Sequence, residues 1–119
     1  MIFVGTDIVP IIRIENLIKE KGRRFLNHLY TKLEQNICNA KKSPFIHYSG
    51  KFAAKEAVKK ALLSSKLTKD IPLVSIEIQN DDDGAPLVHI PQENVKYEQL
   101  QVSISHAGEY ATATAILQL

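Results

Sequence analysis

The sequence predicts an α+β fold, a helical layer packed on a largely antiparallel sheet. Helical periodicity dominates from about Ile11 to Ser64, whereas alternating strand patterns separated by turn signals fill the chain from Leu73 onward. The apolar opening segment supplies one further strand ahead of the helices.

Met1 to Val9 reads as a buried strand in which Gly5 and Asp7 are the unusual members. Pro10 suits a first helical turn, Ile11, Ile12, Ile14, Leu17 and Ile18 recur at helical spacing, and Gly22 supplies the stop. Phe25, Leu26, Leu29, Leu33 and Ile37 extend a helical pattern. Thr31 and Glu34 have the spacing of a capping box that would divide it into two short helices. Ser43-Pro44 opens the longest candidate, Phe45 to Ser64, whose FAAKEAVKKALL stretch is rich in strong helix formers. Gly50 near its start marks a place for close backbone packing. Asp70 and Pro72 announce a change, and Leu73 to Gln79 reads as a strand. Asp81 to Gly84 is a turn, and Leu87 to Ile90 is the return strand of that hairpin. Residues 91–99 form a polar connection. Gln101 to Ser105 and Tyr110 to Leu117 then pair across His106-Ala107-Gly108-Glu109. Ala111, Ala113 and Ala115 fall on one face of the last strand, where small side chains admit a closely packed helix.

A chain of 119 residues, 45% apolar and 24% charged, matches one globular domain spanning 1–119 and excludes a disordered or collagen-like chain. Its net charge of +2 excludes a strongly cationic nucleic-acid coat. No apolar run approaches the roughly 20 residues of a membrane span, and no basic segment precedes the apolar start. The expectation is a cytoplasmic protein with no membrane or nucleic-acid partner. Cys38 stands alone, so it forms no intrachain disulfide and reads as a small core residue.

Three places invite chemistry. Asp7 puts a carboxylate inside an apolar strand, which is costly unless paired or metal-bound; a strand end or a helix cap is the plainer alternative. The long helix carries Lys51, Lys55, Glu56, Lys59 and Lys60, and Glu56 and Lys60 share one face at a spacing of four. That pair reads as a surface ion pair. Alternatively, with Asp7, it gives two carboxylates from separate elements beside cations, a set suited to Mg²⁺ holding a polyphosphate. His106 ends a Ser-Ile-Ser alternation beside a glycine turn, where it either projects functionally or bonds a nearby carbonyl. His28, His47 and His89 show no metal-binding spacing, and no HExxH, GxSxG, GxGxxG or Walker-type loop is present.

Taken together, four segments in order resemble the holo-acyl-carrier-protein synthases, the small single-domain phosphopantetheinyl transferases. They are GTDIVPIIRI, GKFAAKEAVKKAL, SIEIQNDDDGAPLV and VSISHAGEYATATAIL, which together cover nearly the whole chain. The resemblance implies a phosphopantetheinyl-transferase-like fold. It also implies Mg²⁺-dependent transfer of 4′-phosphopantetheine from coenzyme A to a serine of apo-acyl carrier protein, in support of fatty acid biosynthesis. Adenosine 3′,5′-bisphosphate is released. Carried over by position, Asp7 and Glu56 become metal ligands, and Glu56, Lys60 and His106 become catalytic. Lys51, Lys60, Gly84, Pro86 and His106 fall in the coenzyme A site. Arg13 matches a carrier-contacting arginine, and Lys21, Arg23 and Arg24 extend that basic surface. A homotrimer with active sites between subunits is implied as well.

Three positions depart from the family pattern: Ala85 replaces a lysine, Leu63-Ser64-Ser65 replaces a glycine-containing turn, and Lys51 replaces an arginine whose planar grip it cannot reproduce. Two rival readings are a basic nucleic-acid module using Arg23, Arg24 and the Lys51–Lys60 helix, and a homologue that binds carrier protein without modifying it. Low net charge and the absence of a base-reading motif weigh against the first. Asp7, Glu56, Lys60 and His106 weigh against the second.

Overall fold

The computed structural model describes residues 1–91 and 95–119. In chain order the elements are β1 (Ile2–Pro10), α1 (Ile11–Lys21), α2 (Arg23–Leu29), α3 (Lys32–Asn39), α4 (Pro44–Ser65), a 3-10 turn (Leu73–Ser75), β2 (Glu77–Asn80), β3 (Pro86–His89), β4 (Gln99–Ala107) and β5 (Tyr110–Gln118). Strands β1, β5 and β4 make an antiparallel sheet in that order, and β2 and β3 make a separate hairpin. The first strand therefore lies beside the last, with Gly5 opposite Ala115 and Asp7 opposite Ala113. The helices pack on one side, as the α+β reading requires.

Helix α4 is the axis of the molecule. Ala53, Ala54, Ala57, Val58, Ala61 and Leu62 are fully buried, and they pack against a sheet face made of Ala111, Ala113, Ala115 and Leu117. The alanines in β5 bring helix and sheet close, and Gly5 brings them closer. A Cβ at Gly5 would lie 1.9 Å from the Ala57 carbonyl oxygen and 2.9 Å from the Ala61 nitrogen. At the other end of the helix, a Cβ at Gly50 would meet Ile104 Cγ2 at 3.0 Å. The helix thus crosses obliquely from β4 to β1, and both glycines sit where it touches. Gly5→Ala should cost about 3 kcal/mol or more, because its obstacle is backbone and cannot rotate away. Denaturant midpoints at constant slope measure this; an unchanged midpoint would show that α4 slides freely on β1.

The Thr31–Glu34 capping box is present: Thr31 Oγ1 accepts from the Glu34 amide at 3.3 Å, and Glu34 Oε1 accepts from the Thr31 amide at 2.8 Å. It divides the middle helical pattern into α2 and α3. Gly22 ends α1 at φ 57°, and its amide donates to the Ile18 carbonyl at 2.8 Å. Cys38 is buried in the core, and burial pushes its thiol up to about 12.

The expected strand over Leu73 to Gln79 is shorter than its composition predicts. Residues Leu73–Ser75 form a 3-10 turn, in which the Ser75 amide donates to the Pro72 carbonyl at 3.0 Å and the Ile76 amide to Leu73 at 3.1 Å. Lys55 explains the difference, because its ammonium takes the Leu73 carbonyl at 3.0 Å and the Ile76 carbonyl at 2.7 Å, two acceptors a ladder strand would need. Strand β4 in turn runs through His106 to Ala107, longer than the pattern predicts, so the turn contracts to Gly108-Glu109. Of the polar connection 91–99, positions 92–94 lie outside the described residues, and Gln99 already belongs to β4.

Candidate active site

Two clusters of the expected site residues lie along α4. The first is on the β1 side. Alternation along β1 turns Phe3, Gly5, Asp7 and Val9 toward α4 and leaves Ile2, Val4, Thr6 and Ile8 on the opposite face. Asp7 therefore points into the seam that Gly5 opens, and its side chain is only 18% exposed. Lys60 closes that seam, donating to Asp7 Oδ1 at 3.3 Å and to the Thr6 carbonyl at 2.8 Å. Thr112 of β5 holds the Asp7 carbonyl at 2.8 Å. Asp7 does not cap α1, whose N-cap is Pro10 without a side-chain bond.

Glu56 precedes Lys60 by one helical turn and adjoins Ala57, the residue against Gly5. It is partly buried, and among the described residues it makes no ion pair. The surface Glu56–Lys60 pair read from the spacing is thus replaced by Lys60–Asp7. That leaves the Asp7 carboxylate held by Lys60 across the β1–α4 seam, and the Glu56 carboxylate one helical turn before Lys60 on α4. Among the described residues no group of three or more His, Cys, Asp or Glu side chains is placed to hold a metal. The donor set of Asp7 and Glu56 fits a hard, oxygen-seeking ion such as Mg²⁺, which commonly takes one or two carboxylates and completes its shell with phosphate and water.

The second cluster is on the β4 side. Lys51, His106 and the outer wall of the hairpin meet around a cavity of about 130 Å³ lined also by Lys41, His47, Asn80 and Ile104. Lys51 is almost fully buried, which lowers its ammonium below the ordinary lysine range. Its Nζ donates to the Ile78 carbonyl at 2.8 Å and to Asn80 Oδ1 at 3.1 Å. Asn80 Nδ2 passes the connection on to the Gly84 carbonyl at 3.0 Å. Gly84 sits at φ 88°, a turn conformation that favours glycine, and Pro86 starts β3 opposite Asn80. Lys51, Gly84 and Pro86 are therefore one connected unit. His106 is exposed near the end of β4, in register with Ala111.

Asp7 and His106 lie on the two outer strands of the sheet with β5 between them, a separation of about 10 Å from strand spacing alone. Within one chain the two clusters are not a single cavity.

Arg13, Lys21, Arg23 and Arg24 are all exposed on α1, α2 and the segment between, and Arg13 stands beside the fully buried Ile14. Lys21 and Arg24 also line an open groove of about 600 Å³ with Glu20, Phe25 and His28.

Sequence reasoning missed Asn80, His47 and a buried ion pair. Glu34 and Lys55 are both fully buried and 2.7 Å apart. Glu34 Oε2 also accepts from the Ile78 amide at 2.8 Å, so one carboxylate caps α3, pairs with α4 and anchors β2. The capping-box spacing was the visible signal for Glu34, but nothing in the sequence distinguished Lys55 from its solvated neighbours.

Comparisons with known proteins identify the family and the fold. The family model of the 4′-phosphopantetheinyl transferase superfamily matches residues 3–115. The chain is 44% identical over 116 residues to the holo-[acyl-carrier-protein] synthase of Protochlamydia amoebophila, covering 95% of this chain and 94% of that protein. Among solved structures, the ACPS–CoA complex of Chronobacterium ammoniagenes superposes with a TM-score of 0.85 at 26% identity, covering 99% of this chain and 97% of that one. A holo-(acyl-carrier-protein) synthase from Bacillus anthracis in complex with CoA superposes at 0.79 with 32% identity, covering 97% and 94%.

Proposed function

The chain belongs to the 4′-phosphopantetheinyl transferase superfamily, as an enzyme of its holo-[acyl-carrier-protein] synthase family, and we propose that it performs the family reaction with Mg²⁺ in the service of fatty acid biosynthesis. The transferred group is the 4′-phosphopantetheine of coenzyme A, and the acceptor is a serine of apo-acyl carrier protein. The single observation that supports the residue roles is the seam at Gly5, where Lys60 of α4 reaches Asp7 of β1, with Glu56 one helical turn before Lys60.

In the reaction the serine oxygen attacks the phosphorus that bears pantetheine. The phosphoanhydride P–O bond breaks, and adenosine 3′,5′-bisphosphate leaves with the released charge. Asp7 and Glu56 would hold Mg²⁺, which supplies charge neutralisation to the pyrophosphate when bound. Lys60, tethered to Thr6 and Asp7, presents a fixed cation toward phosphate oxygens and meets charge developing on the leaving group. The serine proton passes to Glu56 or to water. His106 and the Lys51–Asn80–Gly84 unit form the coenzyme-binding wall, in which Lys51 positions the hairpin turn.

Asp7 and His106 occupy opposite edges of the three-stranded sheet, and on this reading a neighbouring subunit contributes to the site. A homotrimer accounts for this, and also for the apolar residues on the uncovered sheet face, where Ile2, Val4 and Ile8 are each more than half exposed. We place this single 1–119 domain in the cytoplasm; among the described residues no helix is long and apolar enough to cross a membrane. Calorimetry of coenzyme A binding with and without Mg²⁺ tests the metal assignment. Binding strengthened by Mg²⁺ in the parent chain but not in Asp7→Asn supports it; equal strengthening in both removes Asp7 from the metal site.

Carrier proteins are acidic, so the exposed row Arg13, Lys21, Arg23 and Arg24 is the docking surface on this reading. Arg13→Glu should raise the KM for carrier protein at least about tenfold, through like-charge repulsion, while leaving that for coenzyme A within about twofold. Equal losses for both substrates would place Arg13 outside the carrier interface.

A further inference from the structure

We propose that His47 is a proton-dependent ligand for a phosphoryl group in the cavity between α4, the hairpin and β4, so that coenzyme A binds more tightly when the His47 imidazole is protonated. The inference rests on the coenzyme A reading and adds a residue and a regulating variable to it.

The cavity takes an anion by composition. Its ionisable lining residues are Lys41, His47, Lys51 and His106, and no carboxylate lines it among the described residues. At about 130 Å³ it has room for a phosphoryl group. Its most buried cation, the Lys51 ammonium, directs two of its three N–H donors to Ile78 and Asn80 inside the protein. Lys41, the two imidazoles and the remaining Lys51 N–H are the groups that can meet an anion.

His47 is the imidazole carried by α4 itself. The charged and titratable groups facing it are Lys41 from the segment between α3 and α4, His106 from β4, and Lys51 one turn further along α4. All are bases. Burial first, then these neighbours, holds the His47 imidazole below its usual range near 6.5. The free cavity therefore keeps His47 neutral near pH 7. An anion seated there reverses the sign of the local field and favours the imidazolium. The linkage follows: binding takes up a proton, so affinity is highest below the free-state titration and falls as pH rises through that of the complex.

The chain has four histidines, so the His47 proton resonance is assigned by its loss in His47→Gln and followed by NMR through a pH titration with and without saturating coenzyme A. The expected result is an upward movement of the His47 midpoint by about one unit or more on binding. The matching thermodynamic result is an affinity about tenfold tighter at low pH than at high pH, with that component absent in His47→Gln. Coenzyme A that perturbs other histidines while the His47 midpoint stays fixed would overturn the inference and leave the coenzyme A reading intact. A pH dependence that survives His47→Gln and disappears in His106→Gln would overturn it equally. No binding of coenzyme A in any of these titrations would overturn both.

Discussion

Glu56→Gln is expected to lower turnover about 10³-fold, equivalent to about 4 kcal/mol of transition-state stabilisation, while leaving the melting temperature near that of the parent chain. The substitution keeps the side-chain shape and removes the charge. Glu56 is partly buried, and among the described residues it makes no ion pair, so the fold does not depend on its carboxylate. On the proposed reading its charge matters for the metal it would share with Asp7, one helical turn from the Lys60 ammonium that reaches Asp7. Single-turnover rates at saturating coenzyme A and carrier protein measure the effect directly. A rate within about threefold of the parent would remove Glu56 from both the metal site and the catalytic base.

The second large effect belongs to a residue one position away with the opposite role. Lys55→Met should cost about 3–5 kcal/mol of stability, because it leaves the fully buried Glu34 carboxylate without its cation. The carbonyls of Leu73 and Ile76 lose their donor at the same time. Burial lowers the Lys55 ammonium below its ordinary range while Glu34 opposes that shift, so the pair holds its charges by mutual support. Urea denaturation checks the cost. Glu34→Gln combined with Lys55→Met should recover part of the loss, since no buried charge then stands alone. A single variant as stable as the parent would mean that the 3-10 turn and β2 are held by packing instead.

These two neighbours show how much of the molecule was legible in its sequence. Periodicity located the four α-helices of the described residues, and the alanine face of β5 announced a close helix contact that the structure contains. Asp7 was conspicuous because an apolar strand seldom carries a carboxylate. Lys55 was not, because one lysine among four on a helix reads as solvated until its neighbours in space are known. The same blindness made the strand at Leu73 too long, since the Lys55 ammonium that captures its carbonyls comes from a helix 18 residues earlier. Lys51 read as a coenzyme A contact in place of an arginine, and the sequence did not show that its ammonium also donates to Ile78 and Asn80, again partners distant in the chain. The Asn80 link and the His47 position became visible only when α4, the hairpin and β4 were set around one cavity.

On the proposed reading this chain moves phosphopantetheine onto a carrier protein through a Mg²⁺ site at Asp7 and Glu56. Intact-mass spectrometry of apo-acyl carrier protein tests it most directly, after incubation with the enzyme, coenzyme A and Mg²⁺, in parallel with a chelated sample. The expected result is a mass increase of one phosphopantetheine group in the Mg²⁺ sample and none with chelator. A folded enzyme that leaves several carrier proteins unmodified, or modifies them equally in chelator, would contradict it.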